Sequence, residues 1–308
     1  MRSLALFAPC LALALIAACS DSSSSGSTDD TDSGTTPPPP PRPGTDAGGT
    51  TDTDAGDEAS APLTMQTESE PNNGATTTEL NAMTLPGQMD GKIDPANDVD
   101  IFGLTQQPGE LWEWTLTPTS ADLAPHLTVF DTAPNNQNPN RLVAGQPGGP
   151  AKLQQFVLNA GQFVAVVRDT RNVPNASGKG GPTYGYQLVG QKKTPNLVQV
   201  TFPTTKSATL ASLSSLDLYT FTGTGGKGFD IVIKAARKTV PSTLDSRISL
   251  WDVAQKKSIA INDDANGSTP DSQLTSAQPL NGTYILVVEN EGTNGADLSY
   301  DLELTLKP

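Results

Sequence analysis

From about Met65 onward the chain is a succession of short segments in which apolar and polar residues alternate, each closed by a cluster of Gly, Pro, Asn or Asp. Leu111-Trp-Glu-Trp-Thr-Leu116, Gly161-Gln-Phe-Val-Ala-Val-Val167, Leu216-Asp-Leu-Tyr-Thr-Phe221 and Leu298-Ser-Tyr-Asp-Leu-Glu-Leu304 are examples. A period of two sends successive side chains to opposite faces of a strand, so each segment has one face made for burial. Their β-branched and aromatic content, with turn residues between them, selects an all-β fold, an antiparallel sandwich or jelly roll, over a helical one. No segment after the N-terminus sustains a helical period; Glu79–Met83 is expected to manage no more than a turn of helix.

The segments also recur in order. Phe130-Asp131 and Trp251-Asp252 each precede a second aromatic by 33 residues (130 to 163, 251 to 284), in Gly161-Gln-Phe163 and Gly282-Thr-Tyr284. Upstream, Asp100-Ile-Phe102 matches Asp217-Leu-Tyr219; downstream, Tyr186-Gln-Leu188 matches Tyr300-Asp-Leu302. Landmarks in one order at similar spacings predict two tandem sandwiches, 66–193 and 194–308, each long enough to bury a core of its own.

Before them lies sequence of another kind. Arg2, the apolar run Leu4–Ile16 and Ile16-Ala17-Ala18-Cys19 have the parts of an export signal, too short to remain as a membrane-spanning helix. The last four residues resemble the bacterial lipobox. That resemblance implies removal of residues 1–18 and a lipid anchor on Cys19, hence an envelope location, with outer membrane or cell surface favoured over inner membrane. Residues 19–65 then read as a disordered tether of Ser, Thr, Gly, Asp, Ala and Pro, with too few large apolar side chains to offset the cost of ordering. Between Ser20 and Pro62 it carries nine acidic residues against Arg42, so 9 − 1 = 8 of the chain's 14 net negative charges belong to it. Nucleic acid is excluded as a partner because no basic stripe exists to neutralise phosphates. The two cysteines, Cys10 and Cys19, leave the mature chain without a disulfide or a thiol nucleophile.

The folded part opens Glu68-Ser-Glu70-Pro-Asn72-Asn73, continues through Gly91-Lys-Ile93 and Asp98-Val-Asp100-Ile-Phe102, and reaches Gly161-Gln-Phe-Val-Ala-Val-Val167. In this it resembles the bacterial pre-peptidase C-terminal domain, a small β-sandwich appended to secreted peptidases and found in envelope lipoproteins. The second half lacks the Glu-Pro-Asn opening but keeps Asp245-Ser-Arg-Ile-Ser-Leu-Trp-Asp252 and Gly282-Thr-Tyr-Ile-Leu-Val-Val288. The resemblance covers nearly all of 68–308 and implies two tandem copies. It transfers no peptidase activity, since the chain contains no peptidase domain. In collagen-binding relatives the acidic opening and an Asp pair before the next aromatic strand bind calcium, which here implies Glu68, Glu70, Asn72, Asn73, Asp98 and Asp100. Calcium takes six to eight oxygen ligands around a bend, and the opening crowds four oxygen-bearing side chains into six residues around Pro71.

Other motifs lead nowhere. Gly223-Thr-Gly-Gly-Lys-Gly228 spells a dinucleotide fingerprint, but a strand-like segment, Phe229-Asp-Ile-Val-Ile233, follows where a helix is required; a glycine-rich hairpin loop is expected, and no nucleotide. Asn262-Asp-Asp-Ala-Asn-Gly267 has the opening of an EF-hand but Gln273 where its bidentate Glu belongs; a hairpin is expected, with Asp263, Asp264 and Asp271 a weak second cation set. His126 is the only histidine, which excludes His-rich zinc sites, and no Gly-x-Ser-x-Gly accompanies it. It is expected to be half-exposed at the start of a strand. Trp112, Trp114 and Trp251 are expected in the cores. The function that follows is non-catalytic, with no catalytic residue: a binding or accessory module for an extracellular polymer, glycan or protein, stabilised by calcium. The alternatives are a spacer or display module with a protein partner and, less favoured, a hydrolase built on carboxylates.

Overall fold

A computed structural model describes residues 62–73, 80–133, 138–172, 178–223, 225–265, 269–292 and 294–307. The signal segment, Cys19 and the tether as far as residue 61 lie outside them. All regular elements among the described residues are strands, each with the alternating burial that its sequence period dictates.

The first half forms two facing five-stranded sheets. One has the order β1 (Thr64–Thr67), β3 (Gly87–Lys92), β10 (Gly185–Lys193), β5 (Leu111–Pro118), β8 (Ala151–Phe156). The other runs β2 (Asn81–Met83), β4 (Asp100–Leu104), β9 (Phe163–Asp169), β6 (Pro125–Asp131), β7 (Arg141–Ala144). The inner faces enclose Trp112, Trp114, Leu116, Phe102, Leu127 and Leu188, so both tryptophans are core residues as expected. The second half repeats the scheme. One sheet is β11 (Val198–Gln199), β13 (Leu216–Thr222), β18 (Thr283–Asn290), β15 (Ser246–Asp252), β16 (Lys257–Asn262); its mate is β12 (Thr204–Thr209), β19 (Ser299–Leu306), β14 (Phe229–Lys234), β17 (Gln273–Ser276). Between them lie Tyr219, Phe221, Ile231, Leu250, Leu286 and Tyr300.

Strand by strand, β2–β10 and β11–β19 have the same order, and the register agrees with the sequence landmarks. Asp131 stands opposite Phe163 as Asp252 stands opposite Tyr284. Asp100 stands opposite Val167 as Asp217 stands opposite Val288. Among the described residues, β1 alone has no counterpart in the second half.

One detail adds to the expected antiparallel architecture, and three expectations need correcting. The edge pairs β1/β3, β2/β4 and β11/β13 are parallel in otherwise antiparallel sheets. Asn81–Met83, the core of the expected helical turn, is strand β2, held by its pairing with β4, which outweighs a local preference too short to nucleate a helix. The Gly223–Gly228 loop is not a hairpin: it carries the chain from β13 in one sheet to β14 in the facing one. The segment after Asn262 makes the same kind of crossing, from β16 to β17.

The two sandwiches share a third apolar cluster. Leu111, Phe156 and Leu158 meet Leu216, Leu218, Trp251, Ile285 and Val287 across the junction. Trp251 is therefore buried, but between the sandwiches rather than within one. Its indole N–H donates to the Leu158 carbonyl at 2.9 Å, and its ring meets Phe156 edge-on at 5.6 Å. Gly109, with φ +86°, lies under that ring, where a Cβ would stand 2.7 Å from Trp251. Beside this cluster Arg141, 3% exposed, pairs with Glu289, 2% exposed, at 2.6 Å. The same guanidinium donates to the carbonyls of Gln154 at 2.9 Å and Ser214 at 2.9 Å.

Candidate metal centre

Two strands and the turn that follows β1 build the site. β1 runs along the edge of β3, the Thr64 amide donating to the Pro86 carbonyl and the Glu68 amide to that of Asp90. This ladder turns the Glu68 side chain inward, where Oε1 accepts the Lys92 amide at 2.6 Å. Asp100 enters from the facing sheet as the first residue of β4, fully buried. Between the sheets Tyr186, on β10, directs its hydroxyl at both carboxylates, 2.5 Å from Asp100 Oδ2 and 3.0 Å from Glu68 Oε2. After Pro71 the chain returns so that the Asn72 carbonyl accepts the Ile101 amide at 3.1 Å, burying the Asn72 side chain.

Carboxylate oxygens of Glu68, Glu70 and Asp100 lie within 4.8 Å of one another. One tyrosine proton cannot neutralise two of these groups. Burial, with the charge of Glu68 beside it, pushes the Asp100 carboxyl up to about 9. Burial likewise raises Glu68 and Glu70, and raises the Tyr186 hydroxyl against the neighbouring carboxylates. Two further oxygens, Asp100 Oδ1 and Asn72 Oδ1, are buried without a hydrogen-bond partner. An unmatched buried acceptor costs about 1–3 kcal/mol, so the arrangement is unfavourable unless something positive meets these oxygens.

Of the six residues expected at the site, Glu68, Glu70 and Asp100 converge and Asn72 presents its oxygen. Asp98 is buried close by, but its carboxylate accepts the backbone amides of Asp94 and Val99, both at 2.9 Å, and so braces the turn that delivers Asp100. Asn73 is exposed. Two residues essential to the geometry were not singled out in the sequence. Tyr186 served there only as a landmark of the repeat, although its recurrence with Asp100 as Tyr300 with Asp217 was the available signal. Gly91 is the other: a Cβ there would stand 2.4 Å from Glu68 Oε2 and 2.4 Å from the Tyr186 hydroxyl. Only glycine lets these groups meet over β3.

The weak second set is not assembled. Asp271 instead accepts the amides of Ala235, Ala236 and Arg237 and pairs with the Arg237 guanidinium at 2.5 Å, which holds its carboxyl low.

His126 is buried rather than half-exposed, because β6 lies inside its sheet, between β7 and β9. Burial, and the Arg168 guanidinium 3.4 Å from its ring nitrogens, lower its pKa to about 4. The fold therefore holds the neutral ring, and the unfolded chain takes up the proton first. Stability is intact above the ordinary value of 6.5 and is lost as pH falls through 4, by about 3 kcal/mol in all. The difference in stability between wild type and His126→Gln, followed by denaturant unfolding from pH 7 to 4, should show this loss.

No family model matches the chain, and neither does any curated protein. Among solved structures it is similar to the pre-peptidase C-terminal domain of a collagenase from Bacillus anthracis, at 17% identity over 37% of this chain and 98% of that one, with a TM-score of 0.29. It is also similar to the CUB1-EGF-CUB2 region of human MASP-1/3 (10% identity, 71% and 98% covered, TM-score 0.21) and to a putative secreted protein from Eubacterium rectale (11%, 74% and 79%, 0.22). At such scores the all-β architecture rests on the chain's own strands, and no residue's role is carried across.

Proposed function

We propose that the chain is a non-catalytic accessory module of the bacterial cell envelope, anchored through lipid on Cys19, with two tandem sandwiches of pre-peptidase C-terminal type, the first closed by calcium. The observation that carries the metal reading is the convergence of Glu68, Glu70 and Asp100 with two buried, unpaired oxygens, Asp100 Oδ1 and Asn72 Oδ1. A hard cation with oxygen ligands fits this donor set; zinc, which favours nitrogen and sulfur, does not. Bound there, calcium would join the segment after β1 to β4 and so close the open side of the sandwich. A non-catalytic role is supported by the sole histidine, shut against Arg168 with a pKa of about 4 and unfit to act as a base near neutrality.

The polymer, glycan or protein bound would meet exposed loops and strand edges. A spacer that displays partner proteins is the second reading. It is favoured by the junction of Trp251 and the buried Arg141–Glu289 pair, which joins the two sandwiches.

Calcium titration calorimetry on the wild type and Gly91→Ala tests the site. The wild type should bind one ion per chain, and the methyl group at 91 should weaken binding by about tenfold or more by separating Glu68 from Tyr186. Equal affinities would remove Glu68 from the site; absence of heat at millimolar calcium would remove the site itself.

A further inference from the structure

The second sandwich keeps half of this arrangement and leaves the other half open. Asp217, at the position of Asp100, accepts the Tyr300 hydroxyl at 2.5 Å, as Asp100 accepts that of Tyr186; the Tyr219 hydroxyl lies 2.7 Å from that of Tyr300. β12 is the counterpart of β3, since Ala208 stands opposite Tyr300 where Gly91 stands opposite Tyr186. Yet the edge of β3 carries β1, whereas β12 pairs with β19 on one side and with no described strand on the other. The carbonyls of Pro86 and Asp90 receive the amides of Thr64 and Glu68. Their counterparts on β12 are those of Pro203 and Ser207, with the exposed Thr205 between. Where the first sandwich is closed by residues 64–73, the second has a cleft of about 490 Å3, lined by Val198, Lys206, Asp217 and Tyr219 and bounded by Leu111 and Gln154 of the first sandwich.

The cleft differs from its counterpart in one charge. Lys206 occupies the position of Met89, which is buried in the first core; Lys206 is exposed and lines the cleft with Asp217, whose carboxyl burial raises while the Tyr300 hydroxyl and then Lys206 oppose the rise. In the first sandwich a carboxylate on the added strand meets another carboxylate and calls for a free cation. In the second, an ammonium group already stands by.

We propose that the open edge of β12, with the cleft between Lys206 and Asp217, is a docking site for an extended, carboxylate-bearing segment of another polypeptide, which adds parallel to β12 as β1 adds to β3. Four residues pair with Thr204–Ser207, and a Glu or Asp just beyond them, placed as Glu68 is in the first sandwich, enters the cleft to face Lys206. Strand addition of this kind draws affinity from main-chain hydrogen bonds and specificity from alternate side chains. The inference goes beyond the calcium reading and does not depend on it, because the positive charge is the protein's own.

The test is a titration of the full chain, in chelator, against a fluorescent peptide of residues 62–73, which has the required pattern of an extended stretch followed by Glu68. Saturable binding is expected, with slowed amide exchange at Thr205 and Ser207. Thr205→Pro, or methylation of the peptide nitrogen at Gln66, should weaken it by about tenfold or more, because each blocks the ladder. Lys206→Met and a Glu68→Gln peptide should each weaken it, and the two together no more than either alone. Absence of binding at millimolar peptide overturns the proposal. So does binding that survives Thr205→Pro, which would place the peptide elsewhere, the β1 position of the first sandwich included. If Thr205→Pro fails to fold, the coupling of Lys206→Met to the Glu68→Gln peptide still decides, because Lys206 belongs to β12 alone. Work in chelator keeps the outcomes separate: loss of calcium binding leaves this site standing, and loss of peptide binding leaves the calcium site standing.

Discussion

Arg141→Ala should destabilise the folded region by about 3–5 kcal/mol. The guanidinium is almost wholly buried and serves four acceptors from both sandwiches: the Glu289 carboxylate and the carbonyls of Gln154, Ser214 and Ser215. Its removal leaves Glu289, 2% exposed, with only the more distant Arg247 at 3.6 Å to oppose its charge. Burial already raises the Glu289 carboxyl and the two arginines hold it down, so the variant should take up a proton at Glu289 as it loses stability. Pairing Arg141→Met with Glu289→Leu should recover most of the loss, because a matched apolar pair leaves no charge to desolvate. Urea unfolding of the three proteins measures both effects. If Arg141→Ala costs less than about 1 kcal/mol, the junction is wet and the sandwiches are not one body.

The second large effect concerns Asp100. With calcium removed, its carboxyl titrates at about 9 in the folded chain against an ordinary 3.8. A raised acid pKa means that the fold holds the proton longer than the unfolded chain does. Stability is then complete below 3.8 and falls as pH rises toward 9, a loss at pH 7 on the order of 4 kcal/mol. Asp100→Asn removes this titrating group while keeping its shape, so in chelator the variant should lack this loss and be more stable than the wild type at pH 7. Calcium should reverse the order, stabilising the wild type but not the variant. Protons compete for the same oxygens, so calcium affinity should rise with pH. Identical pH profiles for wild type and variant in chelator would show that Asp100 is not buried against other carboxylates.

Much of the architecture was legible because period-two alternation and turn residues report directly on half-buried strands. The order of the landmarks Asp100, Phe130, Phe163 and Tyr186 was legible because register ties them together: a strand that slips by one residue turns its whole apolar face outward. Parallel edge strands such as Asn81–Met83 were not, since three residues carry too little pattern to oppose a local helical preference. The junction has a sequence signal of its own. Tyr284-Ile-Leu-Val-Val288 is apolar on both faces, which marks a strand covered on both sides; Tyr284, Leu286 and Val288 face the core while Ile285 and Val287 face the other sandwich.

At the candidate site the acidic opening announced itself by charge density, and three of its carboxylates converge. Tyr186 and Gly91 were hidden because their roles depend on what lies across a sheet. The family resemblance implies Asp98 as a ligand beside Asp100, whereas its own two oxygens hold the Asp94–Val99 turn. His126 was placed half-exposed from its position beside Pro125, which says nothing of β7 and β9 on either side of it.

The most direct test of the account is thermal and denaturant unfolding of the chain at pH 7 in chelator and at calcium a hundredfold above its Kd. Binding to the native state alone should add about 2.7 kcal/mol, and Asp100→Asn should abolish the gain. An unfolding midpoint unmoved by millimolar calcium, with the wild type no less stable than Asp100→Asn in chelator, would contradict the metal centre.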